Sequence, residues 1–379
     1  MASVRKLPDG RWQAQYRPVP GGKQFTRTTR RKIDAQRWLD EQTTALVSGN
    51  YVDPNAGRIT FSAYFEQWAA RQVWARSTDH AMHLAAGSVT FSDVPLRLLR
   101  RSHIETWIKH LQSVPHGLRI GTTGLAPSTI RQRYTSVRSV LRSAVRDRII
   151  AADPSDGVRL PRLRKADAAM QLPAPAEVRA VIEAADREFR VFVALCAFAG
   201  LRLGEAAGLQ VGDIDTASRT VDVRRQVQRA AGPDVVVSLP KHGSERTVYL
   251  ADGLLDLVRA HLLALPDRDR GRWLFTTEGG TPLHQNSAGH LWRKARRAAG
   301  LPTMRMHDLR HFYASGLIAA GCDVVTVQRA LGHHSATITL STYAHLWPSA
   351  EDRTRAAVSD MLADVFGPTD EPLTNGDAA

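Results

Sequence analysis

Between residues 199 and 345, five short segments carry side chains that could act together on a phosphate. The first is Ala199-Gly200-Leu201-Arg202-Leu203-Gly204-Glu205. Arg202 and Glu205 are three apart, so on a helix they share a face, and the carboxylate can orient the guanidinium or a nearby histidine. Alone, such a pair reads as a surface salt bridge of little consequence. Arg202, however, follows the apolar run Val191 to Leu201 and so sits where a core helix emerges. The second segment, Pro240-Lys241-His242-Gly243-Ser244-Glu245-Arg246, lies between Val-rich strands and reads as a hairpin tip. A lysine there can deliver a proton, although a solvated turn lysine is the commoner case. The third, His307-Asp308-Leu309-Arg310-His311, puts His307 on one helical face with both Arg310 and His311. The two histidines resemble a metal pair. The zinc-protease pattern needs Glu directly after the first His, however, and Asp308 stands there with no cysteine cluster to add ligands. Leu331-Gly332-His333-His334-Ser335 and Thr342-Tyr343-Ala344-His345 complete the set. A lone helical tyrosine is usually structural.

Taken together, these residues form one chemical set. Two arginines can hold a phosphate whose negative charge grows in the transition state. Two histidines and a lysine can move protons, and a tyrosine hydroxyl can form a covalent phosphate ester. The protein's own cations do the work of a metal, so the reading calls for no cofactor and no metal.

The elements that must position this set are mostly helical. From about residue 176 to Phe366 the pattern is helical, interrupted by a strand region between Ile214 and Leu250 in which Thr220 to Gln228 reads as one strand and Val235 to Leu239 as another. Upstream, residues 1–49 look like a small module. Pro8-Asp9-Gly10 is a hairpin turn, and Trp12, Ala14 and Tyr16 alternate with polar residues. Gly21-Gly22 turns into a third strand, and a helix carries Ala35, Trp38, Leu39 and Leu46 on one face. So small a core suits a DNA-reading arm better than an enzyme; the other reading is a solvated sheet. Asn50 to Arg58 reads as a linker. Residues 58–155 form a helical unit in which Phe61, Tyr64, Phe65 and Trp68 recur at helical spacing, Ser102 and Glu105 fit a capping box, and a helix runs from about Thr129 to Ile150. On that helix Arg131, Arg133, Arg138, Arg142, Arg146 and Arg148 leave one face strongly basic, broken only by Asp147. Arg159 to Pro175 reads as a linker, residues 170–366 as the unit bearing the chemical set, and 367–379 as a flexible tail.

Composition points to the partner. The 379 residues include 51 Lys and Arg against 37 Asp and Glu, a net charge of +14, and nucleic acid is the leading polyanion for such a surplus. The bland reading is a solvated basic surface. Two cysteines allow no disulfide framework. No secretory leader opens the chain, and its longest apolar run is too short to cross a bilayer, so the expectation is a cytoplasmic protein without a membrane partner.

The order and wording of the five segments resemble the tyrosine recombinases, specifically integrases of the phage type. That family's pattern is Arg in a Gly-Leu-Arg-x-x-Glu setting, a hairpin Lys, His-x-x-Arg, Leu-Gly-His and then Tyr, and every member occurs here in order. The resemblance implies a mainly α fold with small β elements (α+β) in three domains. These are a three-stranded sheet plus helix arm domain over 1–49, a helical core-binding domain of the SAM-like kind over 58–155, and a mostly helical catalytic domain with a small antiparallel sheet over 170–366. It implies Arg202, Lys241, His307, Arg310, His333 and Tyr343 as catalytic residues, with Glu205 in support. Lys241 would protonate the leaving 5′ oxygen, His307 would assist the tyrosine's proton, and His333 would hydrogen-bond the phosphate. His334 competes with His333, but the preceding Leu-Gly favours His333. His311 reads as a packing or supporting residue.

The function so implied is site-specific recombination of duplex DNA through a 3′-phosphotyrosine, integrating or excising a phage or other mobile element. The implied partners are att-type DNA sites and a homotetramer in which the segment from about Trp347 to Phe366 docks on a neighbour. A DNA-bending host factor or an excisionase is a candidate accessory. A chromosome-dimer resolvase of the same chemistry is the nearest alternative, and the extra N-terminal arm speaks against it. A DNA-binding protein that keeps the fold without catalysis would need no tyrosine at that spacing. A histidine-metal hydrolase is the third class.

Overall fold

The computed structural model describes residues 2–19, 21–47, 51, 53, 55–113, 124–162, 172–229, 235–240, 243–347 and 350–367. By its internal contacts the chain divides into two units, Met1–Ala169 and Met170–Ala379.

The first unit opens with an antiparallel sheet in the order β1 (Ser3–Lys6), β2 (Trp12–Tyr16), β3 (Phe25–Thr29). Alternation along β2 sends Ala14 and Tyr16 inward, where α1 (Lys32–Val47) meets them with Ala35 and Leu39. A larger helical core follows, from α2 (Phe61–Ala69), α3 (Arg76–Ala86), α4 (Arg101–Ser113) and α5 (Pro127–Arg146). Phe61, Trp107, Ile130 and Leu141 are buried at its centre, so the aromatic residues at helical spacing pack as core. Ser102 does not cap α4. The helix already begins at Arg101, and the imidazole Nδ1 of His103 accepts the Arg100 backbone N–H at 3.1 Å instead. The basic helix also ends sooner than its periodicity suggests. Arg148 takes a left-handed φ of 56° just beyond Arg146, which α-helical hydrogen bonding cannot continue through. Asp147, the break in the basic face, accepts from the Tyr64 hydroxyl at 2.8 Å and from Arg71 at 2.9 Å.

In the second unit α6 (Pro175–Ala184) and α7 (Arg187–Phe198) lead to a short α8 (Leu203–Ala207). Helix α7 is buried almost all round, from Phe189 through Ala197, as a central core helix must be. Burial pushes the Cys196 thiol up to about 12, which makes it an inert packing group. The strand region differs from its sequence reading in two ways. Thr220 to Gln228 is two strands, β5 (Thr220–Val223) and β6 (Gln226–Arg229), because Arg225 between them swings onto Asp213 at 2.5 Å and the chain changes sheet. With β4 (Ile214–Asp215), β7 (Val235–Ser238) and β8 (Arg246–Tyr249) the sheets are β4-β5-β8 and β6-β7. The strands flanking Lys241, β7 and β8, therefore lie in different sheets, and among the described residues they do not pair with each other as a hairpin would. Lys241 itself falls outside the described residues, as do parts of both expected linkers and the tail from Pro368.

Helices α9 (Asp252–Ala264), α10 (Gln285–Ala298) and α11 (Met306–Ala319) complete the main core. A small separate core holds Ala314, Ile318, Val327, Leu331 and Tyr343, from α11, α12 (Val324–Leu331) and α13 (Ala336–Tyr343). Trp347 packs on this same core and donates its indole N–H to the Cys322 carbonyl at 3.3 Å. It is thus occupied within its own unit. Further on, α14 (Ala350–Phe366) leaves Val358, Met361, Leu362, Val365 and Phe366 exposed.

Two glycines shape the approach to the candidate site. Gly200, at φ 63°, turns the chain between α7 and α8, and a Cβ there would lie 2.4 Å from the Tyr313 ring. Gly332, at φ 61°, ends α12 in the left-handed conformation, and a Cβ would lie 2.8 Å from Arg246 Nη1. Gly200→Ala is expected to lower the unfolding free energy by about 1–3 kcal/mol through backbone strain alone, with more from the ring clash. Urea denaturation of the full chain measures it, and an unchanged midpoint would contradict the packing described.

Candidate active site

Arg202 does not lie on a helix with Glu205. It precedes α8 in extended conformation, and Glu205, one turn in, folds back over it. The Glu205 carboxylate accepts the Arg202 backbone N–H at 3.0 Å and its guanidinium at 2.5 Å. It also accepts Arg246 Nη2 at 2.9 Å. Only 1% of the Glu205 side chain is exposed. Burial alone would raise its pKa, but Arg246, Arg202 and Arg310 outweigh it and hold the carboxyl below its ordinary value. Arg246 spends its other donors on the Ala330 carbonyl at 3.0 Å and the Ser244 carbonyl at 3.3 Å. One arginine of β8 thus clamps the acidic residue, the chain before β8 and the end of α12.

Among the described residues Arg310 is the most deeply placed cation, 2% exposed. Its terminal nitrogens donate to the carbonyls of Gly200 and Leu331, both next to the left-handed glycine turns. Burial, with Arg202 next, pulls its pKa down to about 9, which still leaves it charged at neutral pH. His307 and His333 are both pushed down to about 4, first by burial and then by neighbouring positive charge. At neutral pH both rings are uncharged and can accept or donate one hydrogen bond at each nitrogen. His333 Nδ1 lies 2.9 Å from the Thr339 hydroxyl, which fixes its ring.

Tyr343 is 1% exposed, with its ring in the small core. Its hydroxyl lies 2.8 Å from Nδ1 of His311. His311, read from the sequence as a packing or supporting residue, thus has the phenol as its partner: helix periodicity puts His311 on the His307 face, and the fold brings Tyr343 to it. The two imidazoles meet edge to face at 4.7 Å between centroids. Arg202, His307, Arg310, His311, His333 and Tyr343 all line one cleft of about 260 Å³. Among the described residues no group of three or more His, Cys, Asp or Glu is placed to hold a metal ion. A buried arginine, Arg310, and a half-buried one, Arg202, facing uncharged imidazoles and a tyrosine hydroxyl suit a phosphodiester, whose oxygens need cationic donors and whose phosphorus needs a nucleophile.

Sequence reasoning overlooked Arg246. A signal existed, since period-two alternation in β8 puts Arg246 on the same face as the buried Val248, an inward arginine that needs a partner.

Comparison with known proteins points the same way. The model of the phage integrase family matches residues 173–349. A putative prophage phiRv2 integrase of Mycobacterium tuberculosis is 28% identical over 383 residues, covering 95% of each chain. The tyrosine recombinase XerC of Mycobacterium bovis strain BCG is 32% identical over 243 residues, 59% of this chain and 74% of that one. Among solved structures, the Tn1549 transposon integrase bound to a circular intermediate DNA superposes with a TM-score of 0.64 at 20% identity, over 80% of this chain and 99% of that one. A lambda integrase from a tetramer bound to a Holliday junction gives 0.56 at 16% identity, over 91% and 94%. These structural likenesses show the fold.

Two stability measurements test the site. Glu205→Gln leaves buried arginines without their counter-charge, and a loss of about 3–5 kcal/mol is expected in chemical denaturation. His307 and His333 bind a proton more weakly folded than unfolded, so acid favours the unfolded chain. Their contribution to stability is complete above about 6.5 and is lost as pH falls toward about 4. The melting temperature should drop across that window, and less steeply in His333→Gln.

Proposed function

Because the chain belongs to the phage integrase family of tyrosine recombinases, we propose that it cuts and rejoins duplex DNA with Tyr343 as its nucleophile. Membership makes it a site-specific DNA recombinase of the phage or mobile-element type. The observation that carries the residue assignment is the single cleft shared by Arg202, His307, Arg310, His333 and Tyr343.

In this reading Arg202, Arg310 and His333 hold the scissile phosphate, and the two guanidinium groups offset the charge that builds on its oxygens. Tyr343 attacks phosphorus to give a 3′-phosphotyrosine and a free 5′ hydroxyl. Lys241 protonates the leaving oxygen, His307 assists the removal of the phenol proton, and Glu205 keeps Arg202 oriented. The phosphotyrosine keeps the energy of the broken bond, so a 5′ hydroxyl from a partner strand can reverse the step without ATP.

The domain assignment is an arm domain over 1–49, a core-binding domain over 58–155, a catalytic domain over 170–366 and a tail over 367–379. A groove along α5 lined by Arg131, Arg138 and Arg142 suits a phosphate backbone, although Arg138 also pairs with Asp156. Homologous integrases have been solved on DNA, one as a tetramer, and four copies on paired att-type sites are proposed here. The exposed apolar face of α14 would seat on a neighbouring copy, with a DNA-bending host factor or an excisionase as accessory. Of the described helices, none is long and apolar enough to cross a membrane.

A nicked suicide duplex bearing the cognate site tests the assignment. Wild type should give a covalent protein–DNA adduct and Tyr343→Phe none, with the reaction indifferent to chelator. An adduct with Tyr343→Phe would sink the nucleophile. Arg202→Ala and Arg310→Ala should lose cleavage while keeping most DNA affinity, because salt-dependent binding is spread over many Lys and Arg. Equal loss of binding and cleavage would place the site elsewhere.

A further inference from the structure

We propose that His311 is the group that accepts the Tyr343 proton when the phenol attacks. This rests on Tyr343 as nucleophile and sharpens the role of the His307 turn of α11. A general base must lie within hydrogen-bond reach of the proton it removes. His311 Nδ1 meets that condition at 2.8 Å from the phenol oxygen. His307 stands one helical turn earlier and touches the His311 ring edge to face. In this arrangement His307 positions the acceptor, and His311 is the catalytic residue of the pair.

The surroundings favour the transfer. Burial raises the pKa of Tyr343, against the lowering influence of Arg310 and Arg202, so the phenol stays protonated at neutral pH and needs an acceptor. Burial likewise lowers the pKa of His311, which keeps the ring neutral and able to accept. Asp308 lies on the same helical turn and acts in the opposite sense, favouring the imidazolium that forms. Arg305 and Arg310 oppose it, which limits how long the proton stays.

The step balances. The phenol O–H bond breaks and its proton moves to Nδ1 of the neutral ring, whose hydrogen is on Nε2. The phenol oxygen bonds phosphorus and the bond to the 5′ oxygen breaks. That oxygen takes a separate proton, assigned above to Lys241. On religation the imidazolium returns its proton to the tyrosine.

Single-turnover cleavage of the suicide duplex by the full-length protein tests this. His311→Ala should slow adduct formation by about 100-fold or more, with DNA affinity and melting temperature near wild type, and added imidazole should restore part of the rate. His311→Asn guards against misfolding of the alanine variant. Its amide oxygen can accept the phenol hydrogen bond but cannot carry the proton, so it too should cleave slowly. Wild-type cleavage by His311→Asn, while Tyr343→Phe is inert, would overturn this inference and leave the nucleophile standing. A substrate with sulfur at the bridging 5′ position separates the two proton transfers, since a thiolate leaves without protonation. It should not rescue His311→Ala. Rescue would assign His311 to the leaving group and overturn the proposal.

Discussion

Three guanidinium groups, those of Arg202, Arg246 and Arg310, are gathered around one buried carboxylate, Glu205. Like charges about 4 Å apart repel by about 4 kcal/mol even at an effective dielectric constant of about 20. Such a cluster persists only if its cations are satisfied from several directions. Glu205 supplies one counter-charge, and the carbonyls of Gly200, Ala330, Leu331 and Gly332 supply dipoles. Every one of those carbonyls lies at or beside a glycine turn or a helix end, where backbone oxygens are not used up by helical hydrogen bonds. The architecture of α7, α8, α11 and α12 can be seen as the means of bringing free carbonyls to buried arginines.

The cluster remains positive after this compensation. Three cations face one carboxylate, and the imidazoles beside them are held neutral by burial and then by that same charge. A phosphodiester is the anion proposed to complement it. The field that makes the site costly to build is the field that would stabilise a pentavalent phosphorus.

Tyr343 is held differently. Its ring belongs to a small core of its own, apart from the large core around α7. Cooperative units with few apolar contacts open more readily than the main core. The placement therefore separates the frame that carries the arginines from the proposed nucleophile, which stands on a lesser foundation. The hydrogen bond to His311 spans the two, because α11 carries Arg310 into the frame and His311 to the phenol.

What the sequence determined by itself was the identity and order of the chemical set, together with the elements that bear it. Spacing placed His307, Arg310 and His311 on one face of a helix, and alternation placed Ala14 and Tyr16 inside a sheet. Both are local properties, set by periods of 3.6 and 2 residues. The tertiary structure decided the partners. Glu205 and Arg246 are 41 residues apart, His311 and Tyr343 are 32, and Arg310 and Gly200 are 110. No local period reaches that far. Hence Arg246 was overlooked, His311 was read as a packing or supporting residue without its partner, and the Lys241 segment was read as a hairpin tip although its flanking strands join different sheets. Which side chains exist and which face they leave from follow from covalent spacing. Which of them meet follows from how the cores close.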